Sequence, residues 1–246
     1  MLRAYFDESG IHGGSKTTVV CGFIGSRSQW RLVARKWQKA MQGRVFHYKE
    51  MGKETELLEK LATIIDEADL GTILSGFLGD WDRTIKAGTP DWPKRFPSCY
   101  QMLLEMCIHR MEQYSNVFWR GEPIVLTFSR QDQYAPFAEK LWRAHKATGV
   151  WAHIVGFGYG DPELPELQAA DMLVHEAFQC ARQVYERGQS ATPRLWEEKW
   201  PLVRKLVASR KLMLADMMNE ERLVQTLRKE DKNRRYLKRP DIKKKS

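Results

Sequence analysis

The start of the chain constrains its fold most. Leu2 to Phe6 is a short apolar run that stops on Asp7-Glu8. Gly10, Gly13 and Gly14 then mark a turn, and Thr17-Thr18-Val19-Val20-Cys21-Gly22-Phe23-Ile24 follows as a largely β-branched run closed by Gly25. β-branched and aromatic residues suit a pleated, half-buried surface, and glycine suits the turn. The two runs predict a hairpin whose first strand ends on carboxylates. A hairpin alone is marginal in water, so the rest of the chain has to cover it.

That cover alternates. Trp30, Val33, Ala34, Trp37 and Met41 recur at helical spacing up to Gly43. Phe46 to Glu50 reads as extended or irregular, and a second helix carries Leu57, Leu58, Leu61, Ile64, Ile65 and Ala68. Leu70 to Leu78 predicts a strand, and Gly79 to Pro97, broken by tryptophan and proline, a loop. Ser98 is a suitable N-cap for a long helix through Tyr114. Further strands are expected at Pro123–Phe128 and Val150–Phe157, with helices at Pro136–Lys146 and Glu166–Glu186. A loop over Ser190–Trp200 precedes a last amphipathic helix holding Leu212, Leu214, Met217, Met218, Val224 and Leu227. The order β-β-α-α-β-α-β-α-β-α-α implies a mixed sheet flanked by helices.

The 246 residues suit one large domain or a domain with a small appendage. No run approaches the roughly 18 apolar residues of a membrane span, and the N-terminal run is too short for a signal peptide, so a cytoplasmic, non-membrane protein is expected. Cys21, Cys99, Cys107 and Cys180 form no Cys-x-x-Cys pair and predict buried thiols rather than disulfides or structural zinc. The net charge of +9 is uneven. From Arg228 to Ser246, ten Lys/Arg face three Asp/Glu, which leaves only +2 for the rest. Arg234, Arg235, Lys238, Arg239, Lys243, Lys244 and Lys245 are therefore the candidate contacts to nucleic-acid phosphates, against the plain alternative of a solvated end.

Three segments carry candidate chemistry. Asp7-Glu8-Ser9-Gly10 ends the first strand, where functional groups gather in open α/β sheets, although the same residues make a polar turn. Within Leu167-Gln168-Ala169-Ala170-Asp171, helical spacing sets Gln168, Asp171 and His175 side by side, with Asp171 at the margin of an apolar stripe. A carboxylate there needs a cation, a partner or water. His47-Tyr48-Lys49-Glu50 offers Glu50, with His47 as a neighbour. Asp80 and Asp82 follow a strand end and read first as loop residues. Gly156-Phe157-Gly158-Tyr159-Gly160 lacks the Lys-Ser/Thr of a phosphate loop and reads as a flexible turn.

Phe6-Asp7-Glu8-Ser9-Gly10, Phe46-His47-Tyr48-Lys49-Glu50 and Leu167-Gln168-Ala169-Ala170-Asp171, in this order, resemble the bacterial domain-of-unknown-function 3800 family over residues 1 to about 185. The resemblance implies an RNase H-like α/β fold, assigned to 1–205; apolar spacing and charge beyond it predict a C-terminal amphipathic helix over 206–231 and a basic tail over 232–246. It implies Asp7, Glu50 and Asp171 as catalytic and metal-binding residues, with Mg2+ or Mn2+ as the ion. Glu8, Asp80, Asp132, Gln168 and His47 are additional candidates. In many relatives an aspartate follows the strand at Ile124–Phe128. Here Ser129 stands there, a poor magnesium ligand.

The leading reading is a metal-dependent nuclease or phosphodiesterase acting on RNA or DNA. Paired ions held by carboxylates from separate elements suit that chemistry. The alternatives are a catalytically weakened RNase H-like nucleic-acid-binding protein, favoured by Ser129, and a hydrolase of a small phosphorylated compound, favoured by the near-neutral body.

Overall fold

A computed structural model describes residues 1–11, 15–88, 91–129, 135–187, 200–208 and 212–237. The predicted hairpin forms: β1 (Leu2–Ser9) pairs antiparallel with β2 (Thr17–Ser26), setting Asp7 opposite Cys21. Three helices follow, α1 (Arg27–Met41), α2 (Tyr48–Met51) and α3 (Thr55–Glu67), then β3 (Gly71–Leu78). The Ser26 hydroxyl and the Gln29 side chain close a capping box at the start of α1, and Trp30, Val33, Trp37, Ala40 and Met41 form its buried face. The helix stops where Gln42 and Gly43 take positive φ.

The stretch read as a loop after β3 holds two short helices, α4 (Trp81–Lys86) and α5 (Trp92–Arg95). Asp80 caps α4 by accepting the Arg83 N–H at 2.9 Å. Trp92, expected to break structure, is buried instead. α6 (Cys99–Trp119) is capped by Ser98 as expected and leads to β4 (Ile124–Ser129) and α7 (Ala135–Ala147).

The glycine-rich segment is a strand and not a turn: β5 (Ile154–Gly160) contains all three glycines and pairs parallel with β4. Glu112 of α6 anchors its start by accepting the N–H groups of Ala152, His153 and Ile154 at 3.0 to 3.2 Å. α8 (Pro165–Arg187) follows.

The C-terminal part departs most from expectation. In place of one helix over 206–231 there are α9 (Pro201–Ala208), a sixth strand β6 (Leu212–Asn219) and α10 (Glu220–Leu237). The boundary expected at 205 falls inside α9. The basic segment expected from 232 is helical to 237, and 238–246 lie outside the described residues, as does most of the loop expected at 190–200.

The sheet order is β5-β4-β1-β2-β3-β6, with β2 antiparallel to its neighbours and the other pairings parallel. One face packs on α1, α3, α8 and α9 through Tyr5, Val19, Cys21, Phe23, Trp37 and Leu173. The other packs on α5, α6, α7 and α10 through Phe6, Val20, Phe77, Leu103 and Phe128. All four cysteines are buried and free. No described helix is long and apolar enough to cross a membrane.

Candidate metal and phosphodiester site

From β1 the chain moves one way, to β2 and β3, and later returns to the other side of β1 with β4 and β5. Between β1 and β4 the winding reverses, and open sheets form their ligand crevice at such a point, outside the carboxyl ends of the strands. Asp7 and Ser129 stand at these two ends. Side chains alternate along a strand. Tyr5 packs into the α8 layer, so Asp7 faces it too, and Ser129 faces the same way from β4. The Ser129 hydroxyl donates a hydrogen bond to the Asp7 carboxylate.

α8 lies over this crevice. Its Asp171 Oδ2 accepts the Tyr48 N–H at 3.0 Å, and its Oδ1 lies 3.3 Å from His175 Nδ1, one turn on. Tyr48 stacks on the His175 ring at 5.0 Å between centroids and 18° between planes. Gln168 pins the segment before α2 to α8. Its Oε1 accepts from both Trp37 Nε1 and the Phe46 N–H at 2.9 Å, and its Nε2 donates to the Glu163 carbonyl at 2.6 Å. Gln168 thus spends its amide on positioning the short helix that carries Tyr48, Lys49 and Glu50.

Burial, and next the charge of Asp171, push the Asp7 carboxyl up to about 7, against the Glu8 N–H, His175 and the Ser129 hydroxyl, which favour its ionised form. Burial, with the charges of Glu176 and Asp171, also holds the Tyr48 phenol well above its ordinary value, so it keeps its proton at neutral pH.

A cavity of about 370 Å³ opens here. Asp7, Glu50 and Asp171, distant in sequence, all line it, together with Glu8, His47, Gln168 and Ser129. Their depths differ: Asp7 and Asp171 form the floor, while Glu50, His47 and Lys49 stand at the rim. Glu8 is buried and by alternation faces the other layer. There, burial and then the charges of Glu139 and Glu8 push the Tyr159 phenol up to about 12. Asp80 is spent on capping α4 and is not part of the cavity wall. Asp132 lies outside the described residues. Among the described residues, no three His, Cys, Asp or Glu side chains stand close enough to hold an ion between them. The preformed part is the Asp7–Asp171 pair with Ser129.

Two roles were not visible in the sequence. Gln168 is a bracket, and Ser129 is a hydrogen-bond donor to Asp7. Period-two alternation on the strand ending at Ser129 carries part of that signal, but which strand lies beside it is a long-range fact. The glycines of β5 add a third feature. Gly158 and Gly160 lie opposite Thr127 and Ser129, on the cavity face. A Cβ at Gly160 would meet the side-chain ends of Leu167 at 2.8 Å and Thr127 at 2.9 Å, so a larger residue there would force those side chains at the start of α8 and on β4 to shift.

The strand order and directions define an RNase H-like α/β fold, a mixed six-stranded sheet covered by helices on both faces. Solved structures similar to this chain include a chain of the complex between PCNA and RNase HII from Archaeoglobus fulgidus, at 15% identity and a TM-score of 0.41, covering 89% of this chain and 94% of that one. Another is a point mutant of Bst-RNase HIII, at 12% identity and a TM-score of 0.39, covering 85% of this chain and 68% of that one. No family model and no curated protein matches the chain.

Proposed function

We propose that the protein is a divalent-metal-dependent phosphodiesterase acting on nucleic acid, of the domain-of-unknown-function 3800 kind, with Asp7, Asp171 and Glu50 as its metal-binding and catalytic carboxylates. The observation that carries this reading is that Asp7, half-buried at the end of β1, and Asp171 of α8 line one cavity, where burial and the like charge of Asp171 raise the Asp7 carboxyl. A cation between the two would relieve both the repulsion and the cost of burial. The donor set fits magnesium or manganese: carboxylate oxygens and no thiolate among the cavity residues, with the imidazoles of His47 and His175 beside them. Such an ion supplies charge stabilisation at a phosphoryl group and activation of water.

The chain's own residues prepare that chemistry. Asp7 and Asp171 offer fixed oxygens, the Tyr48 N–H and His175 orient Asp171, and Gln168 holds the helix on which Glu50 stands at the rim. Thermal unfolding with and without Mn2+, alongside cleavage of labelled RNA and DNA, tests the reading. Metal-dependent stabilisation together with cleavage is expected. Stabilisation by metal without cleavage would favour the weakened binder, which Ser129 and the two-carboxylate floor support. If neither effect is seen, the metal assignment falls.

Ser129→Asp places a third carboxylate beside Asp7. Mn2+ affinity should rise about tenfold or more by calorimetry, while the metal-free protein loses stability above neutral pH through added repulsion. Unchanged affinity would show that the end of β4 contributes nothing to the ion site.

The basic end supplies a separate expectation. Deleting Lys238 to Ser246 removes Lys238, Arg239, Lys243, Lys244 and Lys245 and leaves α10 whole. Nucleic-acid binding should weaken and its salt dependence flatten, by roughly 0.7 to 0.9 in log–log slope for each phosphate no longer neutralised. An unchanged slope would assign the end no part in binding.

A further inference from the structure

We infer that the outer face of α1 is a docking track for the phosphate backbone of a nucleic-acid strand, leading to the cavity; the inference rests on the phosphodiester reading for the identity of its substrate. Arg27, Arg31 and Arg35 recur every four residues, with Gln38 and Lys39 on the next turn, and all five are exposed. The helix contains no acidic residue. Among the described residues, Arg27, Arg31, Arg35 and Lys39 make no hydrogen bond or ion pair, whereas Lys36, on the flank, pairs with Glu67.

Local physics disfavours this arrangement. Like charges four apart on a helix repel, and a cation in the first turn opposes the helix dipole. A solvated helix face ordinarily interleaves acids with bases, and this one does not. Four residues of helix rise about 6 Å, so the arginines stand at intervals that suit successive phosphates of an extended strand. The guanidinium fork grips phosphate oxygens in pairs, and the glutamine amide adds a neutral donor.

The track also points somewhere. Trp37 of α1 bonds Gln168, a wall of the cavity, and the chain beyond α1 runs directly into the cavity-lining His47 and Lys49. An anionic membrane is the weaker partner. The apolar residues of α1, Trp30, Val33, Trp37, Ala40 and Met41, are buried in the core and leave nothing to insert among lipids.

The test compares Arg27→Gln/Arg31→Gln/Arg35→Gln with a control of equal charge loss on the opposite layer, Lys86→Gln/Lys94→Gln/Lys140→Gln. Binding of labelled RNA and DNA strands is followed by anisotropy against salt, in chelator so that no cleavage intervenes. The arginine variant should bind about 10- to 50-fold more weakly near 0.15 M salt, with a log–log slope smaller by about 2. The control should stay near wild type. Equal losses in the two variants, or none in either, overturn the track. So does an arginine-dependent affinity for phosphatidylserine vesicles with strand binding unchanged. The Mn2+ response of the arginine variant should match wild type, because the carboxylate floor is untouched. Cleavage-competent protein whose strand binding ignores the arginines therefore defeats the track alone. Arginine-dependent binding without any metal response or cleavage defeats the phosphodiesterase reading alone.

Discussion

Asp7→Asn should abolish most of the manganese response and, without metal, make the protein more stable at pH 8. The asparagine keeps the shape of the side chain and removes a charge that burial and Asp171 both oppose. The sign follows from linkage. A carboxyl whose folded value is raised to about 7 favours the folded state fully below its unfolded value near 4, and that contribution is lost as pH rises through about 7. Wild type should therefore lose stability between about pH 4 and pH 7 from this group, and Asp7→Asn should not. At pH 8 the variant should gain about 1–3 kcal/mol, or roughly 3–10 °C in Tm, with little difference at about pH 4. Metal affinity should fall at least about 100-fold, because a ligand is lost where even an outer partner costs about 10- to 100-fold. Urea unfolding at the two pH values and Mn2+ calorimetry check both halves. A variant less stable than wild type at pH 8 would mean that the Asp7 charge is satisfied in the fold, and the shared site would lose its foundation.

Gln168→Leu is expected to be the most damaging single change near the site. It leaves the Trp37 indole N–H and the Phe46 backbone N–H without their acceptor, in a region where Trp37, Phe46 and Gln168 are all buried. Each orphaned donor costs about 1–3 kcal/mol, so the loss should be about 2–5 kcal/mol, or roughly 5–15 °C. Trp37→Phe removes one of the two donors, and the double variant should then cost about 1 kcal/mol or more less than the sum of the singles. Full additivity would show that the indole bond contributes nothing. A role in positioning α2 has its own readout: Mn2+ affinity should fall in Gln168→Leu even at temperatures where the variant is fully folded, since Glu50 and the Tyr48 N–H are held through this bracket. Unaltered affinity in the folded variant would leave Gln168 with a purely structural role.

Much of the site was legible because its signals are local. A strand ending on Asp7 and a helix placing Gln168, Asp171 and His175 along one edge need only a periodicity of two or of 3.6 to be read. The same periodicity assigned α1 its buried tryptophans. It did not give Gln168 its role, because the Trp37 indole and the Phe46 N–H reach it only after α1 packs on α8. Nor did it place Asp80, whose position after a strand end suits a ligand as well as a cap. The capping bond from Arg83, together with the strand that separates β3 from β1, decides for the cap.

The sequence by itself determined the opening hairpin, the alternation of strands and helices that requires a mixed sheet, and the elements on which Asp7 and Asp171 stand; Glu50, read as part of an extended or irregular segment, stands instead on the short helix α2. Only the tertiary structure decided that Leu212–Asn219 is a strand. Its short apolar run suits a helix or a strand alike, and the edge of β3 supplies the parallel partner that makes it one. Only the tertiary structure turned the Gly156–Gly160 segment from an apparent turn into β5, because β4 pairs with it while Gly160 clears space for α8. The closeness of Asp7, Ser129 and Asp171 has the same origin. Which residues share a face follows from the repeat along the backbone, whereas which faces meet depends on packing between segments far apart in the chain.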